Sequence, residues 1–261
     1  MLEIVKLGDI DIKKFWDYVL SDIPGYFFFI LDQKQYPESC QFLISLENSS
    51  IVGLCLIWKG RIAHVRSDNE NVIRALFNEV QKHLTIKEIN FEFQHKELLH
   101  SLVPEPKNSF SLHRMLLKKE NMIPRFPLSK PFTERSLSKE DAEDIAELCA
   151  TADPVFWGNA NADDLVFDDN QIYTGLFDGE KLISFTLAWI DEDAAIISTA
   201  ATHPDYQNQG LATYLVNESV HRMMEYTDIA IIHVITENAP AIKVYSKVGY
   251  KVYRTYEMVE L

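Results

Sequence analysis

The chain has 261 residues, 47% apolar and 25% charged, an ordinary globular composition with apolar material for more than one core. Its formal net charge of −14 is lopsided: residues 1–130 carry 17 Lys and Arg against 16 Asp and Glu, and residues 131–261 carry 8 against 23. So acidic a surface repels nucleic-acid backbones and anionic lipid, which excludes both as expected partners, and it attracts cations. No stretch reaches the ~20 apolar residues needed to span a bilayer. The opening MLEIVKLGDIDIKK mixes apolar and charged residues unlike a signal peptide, so a cytoplasmic location is expected. Cys40, Cys55 and Cys149 form no CxxC pair and have no His at metal spacing, which reads as buried free thiols and no metal.

Helical segments are predicted over Asp11–Leu20 and over a less regular region to Tyr36 that holds the longest apolar run, Tyr26–Leu31. Strands are predicted at Gln41–Glu47, Ile51–Trp58 and Arg61–Val65, and a helix over about Asn71–Leu84. A strand at Ile89–Gln94, a short helix at Lys96–Leu102 and a strand at Phe110–Leu117 complete the first half. Between residues 123 and 131 stand Pro124, Pro127 and Pro131, which fit neither a helix interior nor a central strand. This Pro-rich linker divides the chain into domains 1–122 and 132–261.

The second half repeats the order. Phe132–Leu137 is a short strand, and Ser138 with Asp141 forms a capping box for a helix through Ile145 and Cys149. Strands Gln171–Phe177 and Lys181–Ile190 are joined by Asp178-Gly179, a hairpin turn. Ala194–Thr202 is a third strand, closed by His203-Pro204, and a helix runs from about Leu211 to Tyr226. The near-continuous apolar run Asp228–Ile235 predicts a central strand; a helix over Pro240–Lys247 and a strand over Tyr250–Glu260 end the chain. The shared order predicts a tandem duplication and an α/β (α+β) fold: two domains, each a mixed, mostly antiparallel twisted sheet flanked by helices.

The segment Thr202 to Ala212 carries the most chemistry. A strand stops at a proline, a polar loop follows, and a helix begins just after Gly210. Amides at a helix start lack intrahelical partners and the helix dipole adds positive potential, an arrangement suited to a pyrophosphate. Gly210 permits close approach of backbone to ligand, and the small Ala212 keeps the first turn open.

Gln207, Gly210 and Ala212 match Q/R-x-x-G-x-G/A, and the segment resembles the acyl-CoA signature of the GNAT superfamily of N-acyltransferases. About 30 residues on, Asn238, Ala241, Tyr245, Lys247, Gly249 and Tyr250 resemble that family's N-x-x-A-x-x-x-Y-x-K-x-G-F/Y element. The resemblance covers about 130 residues. It implies an acetyl-CoA-dependent N-acetyltransferase in which the pantetheine arm lies beside Ala200, Ala201 and Thr202. Pyrophosphate binding would fall to Gln207, Asn208, Gln209, Gly210, Leu211, Ala212 and Thr213, with Asn238 also on the cofactor. A substrate amine would attack the thioester directly, and Tyr245 would protonate the departing thiolate.

The position where several family members carry an acidic base is His233 here. It reads either as the base or as a hydrogen-bonded strand residue, and a water held by Asp or Glu is a third option. The expected acceptor is a small-molecule or peptide amine, met near residues 153–169, where Phe156, Trp157, Asp163, Asp164, Asp168 and Asp169 lie. A solvated loop explains these residues equally. A longer acyl-CoA, or a module that binds acyl-CoA without turnover, remains open, as does monomer or homodimer. In the first half the equivalent loop Val65–Asn71 has no glycine and carries Asp68 and Glu70, so this copy is expected to hold no CoA. Only about eleven residues follow Tyr250, so a strand from the first copy is expected to complete the second copy's sheet.

Overall fold

The computed structural model describes residues 2–83, 85–128, 132–154 and 160–261. They divide into two compact units that are not contiguous in sequence. Unit 1 takes residues up to Arg114 together with Ile235–Glu237 and Val252–Leu261. Unit 2 takes Met115–Val234 and Asn238–Lys251.

In unit 1 the strand order is β1 (Leu2–Lys6), β2 (Cys40–Glu47), β3 (Ser50–Trp58), β4 (Ile62–Arg66), β5 (Glu88–Glu92), β12 (Lys251–Glu260) and β6 (Asn108–Lys118). Neighbours among β1 to β4 are antiparallel, whereas β4 and β5 are parallel. Successive residues of β2 and β3 alternate between two cores, as a pleated strand requires. Phe42, Ile44, Leu54 and Leu56 pack with α1 (Ile12–Leu20) and α2 (Phe27–Gln35). Leu43, Cys55 and Ile57 pack with α3 (Glu70–Val80) and α4 (Lys96–Leu102).

The less regular helical region expected up to Tyr36 holds α2; Phe27, Phe29, Ile30 and Leu31 are all buried, so it shows no one-sided apolar stripe. One element here differs from the sequence expectation. The start of the chain, without an assigned strand from sequence, pairs as β1 with β2.

In unit 2 the order is β6, β11 (Ile229–Ile235), β10 (Ala195–Thr202), β9 (Lys181–Trp189), β8 (Gln171–Asp178) and β7 (Thr133–Ser136). The end of β6 counts with unit 2 from Met115 onward, so a first-half strand does complete this sheet. The last strand of the chain is counted with unit 1 in turn. Local pattern assigns both segments as strands, but pairing partners are a long-range property.

α5 (Ala142–Ala152) packs with Tyr173, Phe177, Phe185 and Leu187, while α6 (Leu211–Met223) and α7 (Ala239–Val248) pack with Ile197, Ile232 and Val234. Ser138 and Asp141 form the expected capping box, and Arg135 holds the Asp141 carboxylate at 2.6 and 2.9 Å. The hydrogen bond from Arg135, joined by the backbone bond from Ser138, outweighs partial burial and lowers the Asp141 pKa.

The first residues of the linker, Ile123 to Phe126, are pinned. Phe126 N donates to Asn217 Oδ1 at 2.8 Å, His221 meets Ile123 O at 3.0 Å, and Arg125 pairs with Glu218, all three acceptors or partners lying on α6 or the linker itself. α7 ends at Gly249, whose φ of +109° and the Leu117 methyl 3.2 Å from an added Cβ both disfavour a side chain. Gly249→Ala is expected to cost about 1–2 kcal/mol from the left-handed backbone alone. A thermal midpoint equal to wild type would contradict this.

No helix among the described residues is long and apolar enough to cross a membrane. All three cysteines are free; Cys55 and Cys149 are buried and Cys40 half-buried. Burial pushes the Cys149 thiol up to about 11 and Cys55 to about 12, which keeps both protonated and unreactive.

Candidate active site

The parallel strands β10 and β11 pair only from Ala195–Ile197 to Ala230–Ile232. Beyond that point β10 stays paired with β9 through Thr202, but its other edge is released. A bulge at Ser198 marks the parting: the register with β9 shifts between Ile197 and Thr199. One inserted residue exchanges the faces of a strand. Ile197 accordingly packs in the α6–α7 core, whereas Ala201, four residues on, packs in the α5 core. The released edge, which includes Ala200, Ala201 and Thr202, leaves backbone groups that an extended chain could pair with.

At the end of β10 the chain makes a single turn, Pro204–Tyr206, capped by His203. Asn208 and Gly210 then both adopt left-handed backbone, φ +60° and +84°. Gly210 is the N-cap of α6 and offers no side-chain acceptor, so the first-turn amides at Leu211, Ala212 and Thr213 have no cap. A Cβ placed on Gly210 meets nothing within 4 Å; the space before the helix is open. Gln207 Nε2 donates to Thr202 O at 3.2 Å and Gln209 Nε2 to Asp205 O at 3.3 Å, so both side chains brace the loop. The loop's backbone is therefore what remains to meet a ligand, a concavity of amide donors fit for an anion.

Asn238 caps α7, its Oδ1 accepting from Ala241 N at 3.1 Å. Tyr245, two turns on, packs in the α6–α7 core with 9% of its surface exposed and its ring 6.4 Å from that of Tyr250. No described residue hydrogen-bonds its hydroxyl. Burial raises its pKa to about 12, so the hydroxyl stays protonated across ordinary pH. His233 is half-buried on β11, one residue past the last pair with β10.

In the acceptor region expected from sequence, Phe156 and Trp157 lie outside the described residues. Asp163 and Asp164 sit in the single turn Ala162–Asp164, and Asp168 accepts from Asn170 N at 3.1 Å. Among the described residues no His, Cys, Asp and Glu group has the make-up of a metal site.

The matching region of unit 1 is built differently. β4 and β5 also part after three pairs, at His64 and Asn90. Into that parting reaches Arg66: its Nη1 donates to Val65 O at 2.8 Å and to Asn90 O at 3.4 Å. Its guanidinium lies 4.2 Å from the Tyr256 ring centre and the residue is 2% exposed. The start of α3 is capped by Asn69 and carries Glu70 in its first turn. A side chain bridges the strands and another closes the helix start, where unit 2 leaves both open. Sequence analysis found the acidic loop but not the arginine, because an isolated Arg at a strand end has no local signature.

The Acetyltransferase (GNAT) family model matches residues 138–250. Residues 138–250, in the second half of the chain, form a domain of the GNAT family. No curated protein matches the chain. Among solved structures, a Drosophila protein matches with a TM-score of 0.68 at 12% identity, covering 100% of this chain and 98% of that one. A tandem GNAT protein from the clavulanic acid biosynthesis pathway matches with a TM-score of 0.61 at 14% identity over 100% and 98% of the two chains. A GCN5-related N-acetyltransferase from Sphaerobacter thermophilus matches with 0.61 at 10% identity, over 84% and 80%. At these identities the likeness is one of fold, and two of the matches run the full length of the tandem arrangement. The match of residues 138–250 to the GNAT family implies binding of an acyl-CoA, and this region fits one: the uncapped first-turn amides of α6 suit a pyrophosphate and the released β10 edge suits the pantetheine amides.

Proposed function

We propose that the GNAT domain transfers the acetyl group of acetyl-CoA to a primary amine by direct attack, with no covalent enzyme intermediate. The observation that carries the reading is the pairing of an uncapped, open helix start at Gly210 with a β10 edge released from Ser198 onward. Amides from Asn208 to Thr213 hold the pyrophosphate, and backbone groups of Ala200 to Thr202 pair with the pantetheine arm. An N–H at the bulged stretch of β10 donates to the thioester oxygen, where charge develops during attack. Tyr245 donates to the sulfur as it departs; its hydroxyl is protonated and has no competing partner among the described residues.

His233 is placed on the strand facing that edge and takes the ammonium proton in this reading. The acidic character of residues 131–261 favours an acceptor that is cationic before reaction.

Titration of the full chain with acetyl-CoA and with CoA tests the first step, followed by thiol release across a panel of amines. One equivalent of acetyl-CoA per chain is expected, since Arg66 and Asn69 fill the corresponding places in unit 1; two equivalents would contradict that. Tight binding with no thiol release from any amine would make the domain an acyl-CoA sensor. Faster release from longer acyl-CoAs than from acetyl-CoA would change the donor.

A further inference from the structure

We infer that unit 1 holds a binding site for a small carboxylate anion, which docks side-on to Arg66 through Nε and Nη2, beside Arg114 and His64. The inference stands apart from the acyl-CoA reading, because every group in it belongs to unit 1.

His64 and Arg66 are two residues apart on β4 and so share a face of the sheet, and Asn90 on β5 is the pairing partner of His64. The Tyr256 ring of β12 lies between two guanidinium contacts, its centre 4.2 Å from that of Arg66 and 4.9 Å from that of Arg114 on β6. Arg66, Arg114, Asn90 and Tyr256 are each 2% exposed and His64 9%. Among the described residues no other Lys or Arg is buried so deeply.

The hydrogen bonds of Arg66 leave one edge open. A guanidinium has five N–H donors, and Nη1 spends its two on Val65 O and Asn90 O at 2.8 and 3.4 Å. No described residue accepts from Nε or Nη2, and no described carboxylate pairs with Arg66. The carboxylates on adjoining segments, Asp22 and Glu92, are held by Arg254 at 3.0 and 2.7 Å. Arg114 brings a second positive charge and directs Nη1 to Pro24 O and Gly25 O at 2.5 and 2.9 Å.

His64 adds a further donor. Asn90 Nδ2 donates to its Nδ1 at 2.7 Å. Burial, followed by the two arginines, pushes the His64 pKa down to about 3, so the ring is neutral and carries its proton on Nε2. Against these donors stands one unpaired buried acceptor, Asn90 Oδ1.

A buried cation is ordinarily paired, since its desolvation is otherwise uncompensated. The N–H bonds of Nε and Nη2 run parallel along one edge of the guanidinium, the geometry that takes both oxygens of a carboxylate. At this depth of burial the edge suits a small planar anion better than a tetrahedral phosphate.

The test is thermal unfolding of the full chain at pH 7 in sodium acetate, sodium phosphate and sodium chloride at equal ionic strength. For a Kd on the order of 5 mM, 50 mM acetate is expected to raise the midpoint by about 3–5 °C over chloride, with saturation. Arg66→Lys keeps the charge but loses the planar edge, and should weaken acetate by about tenfold. Arg66→Met should abolish the saturable response, while Arg74→Met, on an exposed position of α3, should respond as wild type does. No excess of acetate over chloride in wild type would overturn the inference. So would an undiminished response in Arg66→Lys, which decides the matter even where Arg66→Met does not fold. A larger shift with phosphate than with acetate, or a response lost equally in Arg74→Met, would also rule out this carboxylate site.

Discussion

Tyr245→Phe lowers kcat by about a hundredfold or more, the usual scale for removing a positioned proton donor, and leaves the Kd for acetyl-CoA within about twofold. The separation follows from where the two ends of the side chain lie. The ring belongs to the α6–α7 core and is kept by phenylalanine, while the hydroxyl has no hydrogen-bond partner among the described residues that its removal could orphan. Stability is therefore expected to be nearly unchanged, and a drop in rate reports chemistry rather than unfolding.

The pH dependence adds a second check. Burial raises the Tyr245 pKa to about 12, so the protonated, donating form persists upward in pH rather than being lost near 10. The sign is fixed: a raised pKa in an acid extends the active, protonated range toward alkali. No alkaline limb in kcat below about pH 11 should belong to this residue. An alkaline limb between pH 8 and 10 that vanishes in Tyr245→Phe would contradict that assignment, and an unchanged rate in the variant would remove Tyr245 as the acid.

Gly210→Asp abolishes measurable cofactor binding while keeping the fold. Aspartate is among the non-glycine residues most tolerant of left-handed backbone, so the strain at Gly210 is expected to cost about 1 kcal/mol and the fold to persist. Its carboxylate enters the open space before the helix, where no described residue beyond the two chain neighbours stands within 4 Å of the new Cβ. Two unit charges at 4 Å repel by about 4 kcal/mol under near-surface screening, enough for an affinity loss of at least a hundredfold. Gly210→Ala isolates the backbone strain and steric bulk without the charge, and a smaller loss is expected. Calorimetry with acetyl-CoA, beside a thermal unfolding curve, separates the cases. An unchanged Kd in Gly210→Asp would show that the pyrophosphate lies elsewhere.

Both residues stand in segments legible without a structure. The strand–proline–polar loop–Gly–helix order around Gly210 and the spacing of Asn238, Ala241 and Tyr245 are local, so sequence placed them within a residue or two of their elements. The helix Lys96–Leu102, the capping box at Ser138 and the central place of β11 were legible on the same grounds. The bounds of the buried α2 were not legible, since a helix apolar on more than one side has no clear period to read.

By itself the sequence determined what neighbours along the chain decide: where strands and helices start, which helix begins at a bare glycine, and which tyrosine follows Asn238 by seven positions. Only the tertiary structure decided what distant residues do to one another. It exchanged the final strand and the end of β6 between the two units, released one edge of β10 through the bulge at Ser198, and closed the unit 1 counterpart with Arg66. The physical reason is common to all three. Strand pairing and the burial of a guanidinium depend on partners dozens of residues away, and their free energy exists only once those partners have met.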